Sequence, residues 1–355
     1  MTGTIYSNYK FFNFPDRIDA LRERKMAAPV HIRIKPMNHC NHNCWYCAYR
    51  YDNLHLGSDI DLTDQLPRDK IFEIADDVID MGVKAVTFSG GGEPLLYKPL
   101  PEVLEKLSKG GVRVASLSNG SNLKGKNADA FAEYATWIRI SVDGWNDESY
   151  TDARGVKDGA FSQLIENMTD FLERDTECVL GISFIIGEKN HKHVLEFCKL
   201  MKKVGVNHVK LTGVVVENNG EDNNSYHNPI SDEVTRQIKA AQELQTENFT
   251  VLDHYHELPD LFAKRYTFCP SLQFLTVIGA DANVYSCHDK AYTATGKLGS
   301  IKDQSFKNFW YSEENQSAIY GLNPAKVCNH HCTSHHKNLA LLDIIKTDMN
   351  HAAFV

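Results

Sequence analysis

Three things are missing from this sequence, and each absence removes a class of function. No apolar run reaches the roughly 20 residues that span a bilayer. The opening stretch, MTGTIYSNYKFFNF, has no basic region ahead of an apolar one. It is therefore not a signal peptide, and the cytoplasm is the expected location. Basic residues are outnumbered, 38 lysines and arginines against 46 aspartates and glutamates, for a net charge of −8. That balance excludes a nonspecific nucleic-acid binder, which needs a basic surface. It leaves room for an anionic small molecule held in a local basic pocket. Internal repeats and low-complexity tracts are also lacking.

What is present fits a soluble globular protein of 355 residues, 42% hydrophobic and 24% charged, long enough for more than one domain. Short β-type runs alternate with longer helical patterns. Strands are expected at 30–36 (VHIRIKP), 84–90 (KAVTFSG), 112–120 (VRVASLSNG), 137–143 (WIRISVD), 178–186 (CVLGISFII) and 207–213 (NHVKLTG). Amphipathic helices are expected between them, for example over 68–81, 99–109 and 191–204. Six strand–helix repeats imply an α/β fold with a parallel sheet, curled into a partial (β/α)6 TIM-like barrel. Its chemistry should sit at the C-terminal ends of the strands. The polar segment 216–229 reads as a loop, and a helix is expected near 231–247. These features divide the chain into an N-terminal extension (1–29), the barrel (30–215), a linker with a helix (216–260), a small cysteine-rich β-hairpin domain (261–340) and a tail (341–355).

Nine cysteines are unevenly placed, and in a reducing compartment such clusters indicate metal rather than disulfides. Cys40, Cys44 and Cys47 fall in CNHNCWYC, directly after the first strand. Three thiolates suit zinc or an iron–sulfur cluster. Zinc would draw a fourth ligand from His39 or His42, whereas a cubane cluster would keep one iron open. The second strand ends in SGGGEP (89–94), where glycines let backbone approach a ligand closely. The third ends in SNG (118–120) and the fourth in SVDG (141–144), with Arg154 following.

In this order, at successive strand ends, the motifs resemble those of the radical S-adenosylmethionine superfamily. Its cluster loop is C-x3-C-x-aromatic-C, and Tyr46 occupies the aromatic place. Gly90, Gly91, Gly92 and Glu93 match the family's Gly-Gly-Glu motif, which contacts the amino group of S-adenosylmethionine. Asn119, Ser141, Asp143 and Arg154 stand where family members use polar residues for the ribose and the methionine carboxylate. The resemblance covers roughly residues 30–215. It implies a [4Fe–4S] cluster on Cys40, Cys44 and Cys47 whose open iron is chelated by S-adenosylmethionine. An electron from a reductase such as flavodoxin or ferredoxin would then release a 5′-deoxyadenosyl radical that abstracts hydrogen from an unactivated C–H bond.

The tail cysteines Cys269, Cys287, Cys328 and Cys332 are spaced C-x17-C-x40-C-x3-C. Zinc is one reading, given His330, His331, His335 and His336. Behind such a barrel the tail resembles the twitch form of the SPASM domain, which carries one auxiliary [4Fe–4S] cluster. Its first cysteine pair brackets a hairpin, here QFLTVIGADANVYSC. Where the family has Gly five residues before the second cysteine, this chain has Ala282. A fully ligated cluster would serve as an electron conduit, which favours oxidation of the substrate, as in a twitch-domain dehydrogenase. A redox-neutral epimerisation would need a hydrogen donor instead. Cys178 is a candidate for that donor and Lys210 for a base, while Cys178 and Cys198 also fit as small core residues.

Strand side chains alternate, so one set faces the helices and the other the lumen. The apolar set (Ile32, Ile34, Ile138, Ile140, Val142, Val209, Leu211) belongs against the helices, which points Arg33, Lys35, Arg139 and Lys210 inward. Either acidic residues such as Asp143 neutralise these cations, or the substrate carries phosphate or carboxylate. The second alternative suits a small carbohydrate-like substrate, phosphorylated or nucleotide-linked. A peptide-modifying enzyme is the competing expectation. It is weakened because only about 30 residues precede the first strand, too few for a leader-recognition domain. A zinc-stabilised binding protein would leave the strand-end motifs without a purpose.

Overall fold

Alternation decides which way each strand faces, and amphipathic helices cover the apolar side. The computed structural model describes residues 5–50, 54, 57–351 and 353–354, so the first four residues of the N-terminal extension lie outside it. Ten strands form one sheet: β1 His31–Ile34, β2 Ala85–Phe88, β3 Arg113–Ser118, β4 Ala135–Ser141, β5 Val179–Ile186, β6 His208–Gly213, β7 Thr250–Asp253, β8 Leu275–Ile278, β9 Asn283–Tyr285 and β10 Lys297–Ser300. Their order is β10-β9-β8-β1-β2-β3-β4-β5-β6-β7. From β8 through β1 to β7 every neighbouring pair is parallel. The pairs β8/β9 and β9/β10 are antiparallel.

The six expected strands appear within two residues of their expected ends, and the apolar set named above is fully buried. The covering helices bury one stripe each. In Leu100–Lys109 that stripe is Leu100, Val103, Leu104 and Leu107, and in Arg68–Asp80 it is Ile71, Ile74, Ala75 and Val78. Both follow the i, i+3, i+4, i+7 pattern of an amphipathic helix.

Two expectations need correction. Segment 216–229 is not all loop: Gly220–His227 is helical, started by Asn219, whose side chain accepts from the Asp222 amide. His227 pins its end, with Nε2 2.8 Å from the Val214 carbonyl and Nδ1 3.1 Å from the Tyr255 hydroxyl. The interval 216–260 also holds a seventh parallel strand, β7, which is only four residues long. Its apolar signal is a single buried Val251, too little to read as periodicity.

The hairpin does not stand apart from the barrel. β8 pairs in parallel with β1, from His31 opposite Leu275 to Ile34 opposite Ile278. Its turn closes with Ala282 N–H donating to the Gly279 carbonyl at 3.1 Å, and Gly279 N–H to the Asn283 carbonyl at 2.9 Å. Ala282 has φ +55°, the left-handed conformation that explains why glycine is usual in that place.

Candidate active site

The loop after β1 carries Cys40, Cys44 and Cys47, all partly exposed free thiols. The SGGGEP turn after β2 is pressed against it. Gly92 N–H donates to the Met37 carbonyl and Glu93 N–H to the His39 carbonyl, at 3.1 and 2.9 Å. A Cβ on Gly92 would lie 1.9 Å from the His39 carbonyl oxygen, and one on Gly91 2.2 Å from Asn38 Oδ1. Close approach of backbone therefore requires glycine there. A single zinc ion would draw thiolates to about 3.8 Å of one another, given Zn–S near 2.3 Å. Among the described residues only Cys287, Asp289 and His330 bring three ligand atoms within 4.8 Å of one another. The wider spacing of the three loop thiols fits a cluster better than an ion. His42 is buried with its ring edge-on to Tyr150, and burial pushes its pKa down to about 3.

Glu93 is buried and its carboxylate is satisfied: Leu95 N–H and Ser118 Oγ donate to Oε1 at 2.9 and 2.7 Å, and Asn119 N–H to Oε2 at 2.7 Å. Burial raises its pKa, and these donors pull it back. Asn119 Nδ2 donates to Asn41 Oδ1 at 2.9 Å, tying the end of β3 to the cysteine loop.

At the end of β4 the expected polar residues meet. The Tyr46 hydroxyl donates to Asp143 Oδ2 at 2.5 Å. Arg154 Nη1 reaches both Tyr46 (2.8 Å) and Asp143 Oδ2 (3.1 Å), and its Nη2 donates to the Ser141 carbonyl at 2.5 Å. Asp143 adopts φ +63°, and its Oδ1 accepts from the Ile185 amide at 2.6 Å. Asp143 thus pairs with Arg154 and does not neutralise the cations of β1, β4 and β6. Of the Arg154 nitrogens, Nε is the one buried without a partner. Beside this knot lies a cavity of about 400 Å³ lined by Tyr46, Asp143, Trp145, Ile185, Gly187 and Asn190. Trp145, Ile185, Gly187 and Asn190 were not anticipated. The strand-end rule applied to the fifth strand, at IIGEKN, would have found the last three.

The inward cations divide. Lys35 is buried, and its ammonium donates to the Tyr49 hydroxyl at 2.5 Å and the Gly90 carbonyl at 2.9 Å, 4.5 Å from the Tyr49 ring centroid. It braces the loop after β1 against the turn after β2, which sets it apart from the other three cations. Arg33, Arg139 and Lys210 form no ion pair among the described residues. The side chains of Arg33 and Lys210 also make no hydrogen bond there, and Nε of Arg33 and of Arg139 is buried without a partner. Burial, then Arg139 and Arg33, lowers the Lys210 pKa to about 7. Cys178 is not a hydrogen donor at this site. It precedes β5, at the end remote from the strand-end motifs, and burial in the core pushes its thiol up to about 12. Cys198 is buried on helix Val194–Val204, likewise at about 12.

The four tail cysteines line one cavity of about 40 Å³. Burial and the neighbouring thiols raise Cys269 to about 12, and burial raises Cys332 to about 11. The Lys264 ammonium ties this loop together through the carbonyls of Leu261, Phe262 and His330. Deprotonated thiolates this close need cationic charge, which a metal centre would supply.

The radical SAM superfamily model matches residues 34–201, and the SPASM model, described as an iron–sulfur cluster-binding domain, matches residues 269–333, spanning all four tail cysteines. Among curated proteins, "Probable GTP 3',8-cyclase" of Sulfolobus acidocaldarius is 26% identical over 184 residues, 51% of this chain and 54% of that protein. The protein of the same name in Metallosphaera sedula is 24% identical over 274 residues, 75% of this chain and 78% of its own. The chain thus spans about half the length of the first of these relatives. Among solved structures, Streptococcus suis SuiB bound to its precursor peptide SuiA superposes with a TM-score of 0.64 at 15% identity, covering 94% of this chain and 79% of SuiB. That likeness establishes the fold.

Proposed function

Because the chain belongs to the radical S-adenosylmethionine superfamily and carries a SPASM domain, we propose that it takes hydrogen from a small anionic substrate in the barrel lumen and oxidises it. The substrate is carbohydrate-like and phosphorylated or nucleotide-linked. When bound, the cluster and S-adenosylmethionine supply a radical able to attack an unactivated C–H bond. Cys40, Cys44 and Cys47 would hold that cluster. Glu93, Asn119, Asp143 and Arg154, with the glycines of the SGGGEP turn, would seat the cofactor beside it, with Tyr46 and Ser141 fixing the guanidinium. Cys269, Cys287, Cys328 and Cys332 would hold an auxiliary cluster, whose chemistry is electron transfer, and that supports oxidation over a redox-neutral outcome.

The observation that carries the substrate class is the trio Arg33, Arg139 and Lys210, half-buried cations of one lumen that form no ion pair among the described residues, although Asp289 acts on Arg33 and Glu257 on Lys210 from farther off. Half-buried cations held without an ion pair are costly, and two carboxylates at a distance offset only part of three charges, which supports an anion as the missing partner. Guanidinium forks suit phosphate or carboxylate oxygens. The names of the curated relatives, which refer to GTP, lean the same way. Lys210 also remains the candidate base, since it is the one of the three that can lose its proton near neutrality.

The test is formation of 5′-deoxyadenosine by reduced, cluster-loaded protein offered phosphorylated and nucleotide-linked sugars, neutral sugars, and peptides. Charged sugars alone should accelerate it, and Arg33→Gln or Arg139→Gln should raise KM at least about tenfold. Equal stimulation by neutral sugars or by peptides would sink this reading.

A further inference from the structure

We propose that the N-terminal segment is part of the substrate site, with Tyr6 positioning Arg139 for the substrate's anion; this rests on reading the lumen as an anion site. The segment ahead of β1 does not trail over the surface. Phe11, Ile18 and Leu21 are buried against Leu341, and Arg17 Nε donates to the Ala28 carbonyl at 2.8 Å. Five residues before the Phe11 anchor, Tyr6 enters among side chains of β4 and β6 and beside His254, the residue after β7. Its hydroxyl accepts from Arg139 Nη1 at 2.8 Å and lies 3.3 Å from His208 Nε2. Its ring stands edge-on to His208 and His254, and the Lys210 ammonium lies 5.5 Å from its centroid. One tyrosine therefore holds one of the three cations by a hydrogen bond and stands beside a second.

A second observation is independent of Tyr6. A cavity of about 360 Å³ at the starting ends of the strands is walled jointly by His31, Thr87 and Trp137 and by Ser7 and Phe11 of the segment. The segment thus forms one wall of a cavity there.

The chemistry follows from how a guanidinium presents its donors. With Nη1 held by Tyr6, the edge left open is Nε with Nη2, the pair that meets two oxygens of a phosphate or carboxylate side by side. Nε of Arg139 is buried without a partner on that edge. Tyr6 acts through Arg139 and is a positioning residue. The ring also walls in Lys210, so a substitution that keeps the ring separates the hydroxyl's role from the wall's.

The experiment is calorimetric titration of inorganic pyrophosphate into cluster-loaded wild type, Tyr6→Phe, Arg139→Gln and the double variant, with iron content and Tm measured for each. The expected result is about tenfold weaker binding by Tyr6→Phe at unchanged iron content and Tm. In the Arg139→Gln background the Tyr6→Phe change should add nothing further, because coupled residues are non-additive. If wild type binds pyrophosphate and Tyr6→Phe binds it equally, or if the two losses simply add, the role of Tyr6 is overturned and the anion site stands. If wild type does not bind pyrophosphate, the anion site itself falls, and this inference with it.

Discussion

Lys210 carries a cost in the folded chain. Burial and two neighbouring guanidiniums hold its pKa near 7, against an ordinary 10.5. Between those values the unfolded chain binds the extra proton and the folded chain does not, so this group makes stability rise with pH from about 7 to about 10.5. Below pH 7 both states are protonated and the full penalty is present. Lys210→Met should therefore raise Tm at pH 7 by roughly 2–5 °C and flatten part of that rise, while weakening binding of a phosphorylated ligand. Thermal unfolding across pH 6 to 10 checks it, and a lower Tm for the variant would mean that Lys210 has a stabilising partner. At this scale the sequence was readable to the extent that alternation is. Period two pointed Arg33, Lys35, Arg139 and Lys210 inward, and all four are inward. It could not say that Lys35 would be capped by Tyr49, because that partner arrives from a loop after β1 with no periodicity of its own. Nor could it say that Tyr6 would come back across the barrel to Arg139.

Elements were legible where their signal was local and repeated. The six longer strand runs and the helices between them announce themselves by period. The helix Gly220–His227 does not, since its start depends on one cap, Asn219, and its end on His227 contacts with Val214 and Tyr255. Those contacts exist only after folding. The hairpin turn is an intermediate case. GADAN reads as a turn, yet Ala282 sits at φ +55° where glycine would be unstrained. Ala282→Gly should stabilise the protein by about 0.5–1 kcal/mol, seen as a higher urea midpoint at unchanged slope. A loss of stability would mean that contacts of the buried Ala282 methyl outweigh the strain.

At the scale of the whole molecule, one sheet carries both cysteine sites. The first site hangs from the end of β1, and β8, adjacent and parallel to β1, leads through β9 to Cys287. Between the two sites runs a chain of contacts: the Gly90 carbonyl accepts from Lys35, Lys35 donates to Tyr49, and the Tyr49 hydroxyl donates at 3.1 Å to the carbonyl of His288, next to Cys287. The sites share this scaffold but no thiol, so removing one set of ligands should spare the other. Anaerobically reconstituted protein should hold about eight irons, and a Cys40/Cys44/Cys47→Ala triple variant about four. Since Lys35 and Tyr49 are untouched in that variant, the brace between β1 and the β9 loop survives and the tail cavity keeps its shape. Four irons falling to none, with zinc in the tail, would mean that the donor group of Cys287, Asp289 and His330 takes an ion in place of a cluster. The proposed electron outlet would then be gone, and the proposed oxidation would give way to a redox-neutral reaction.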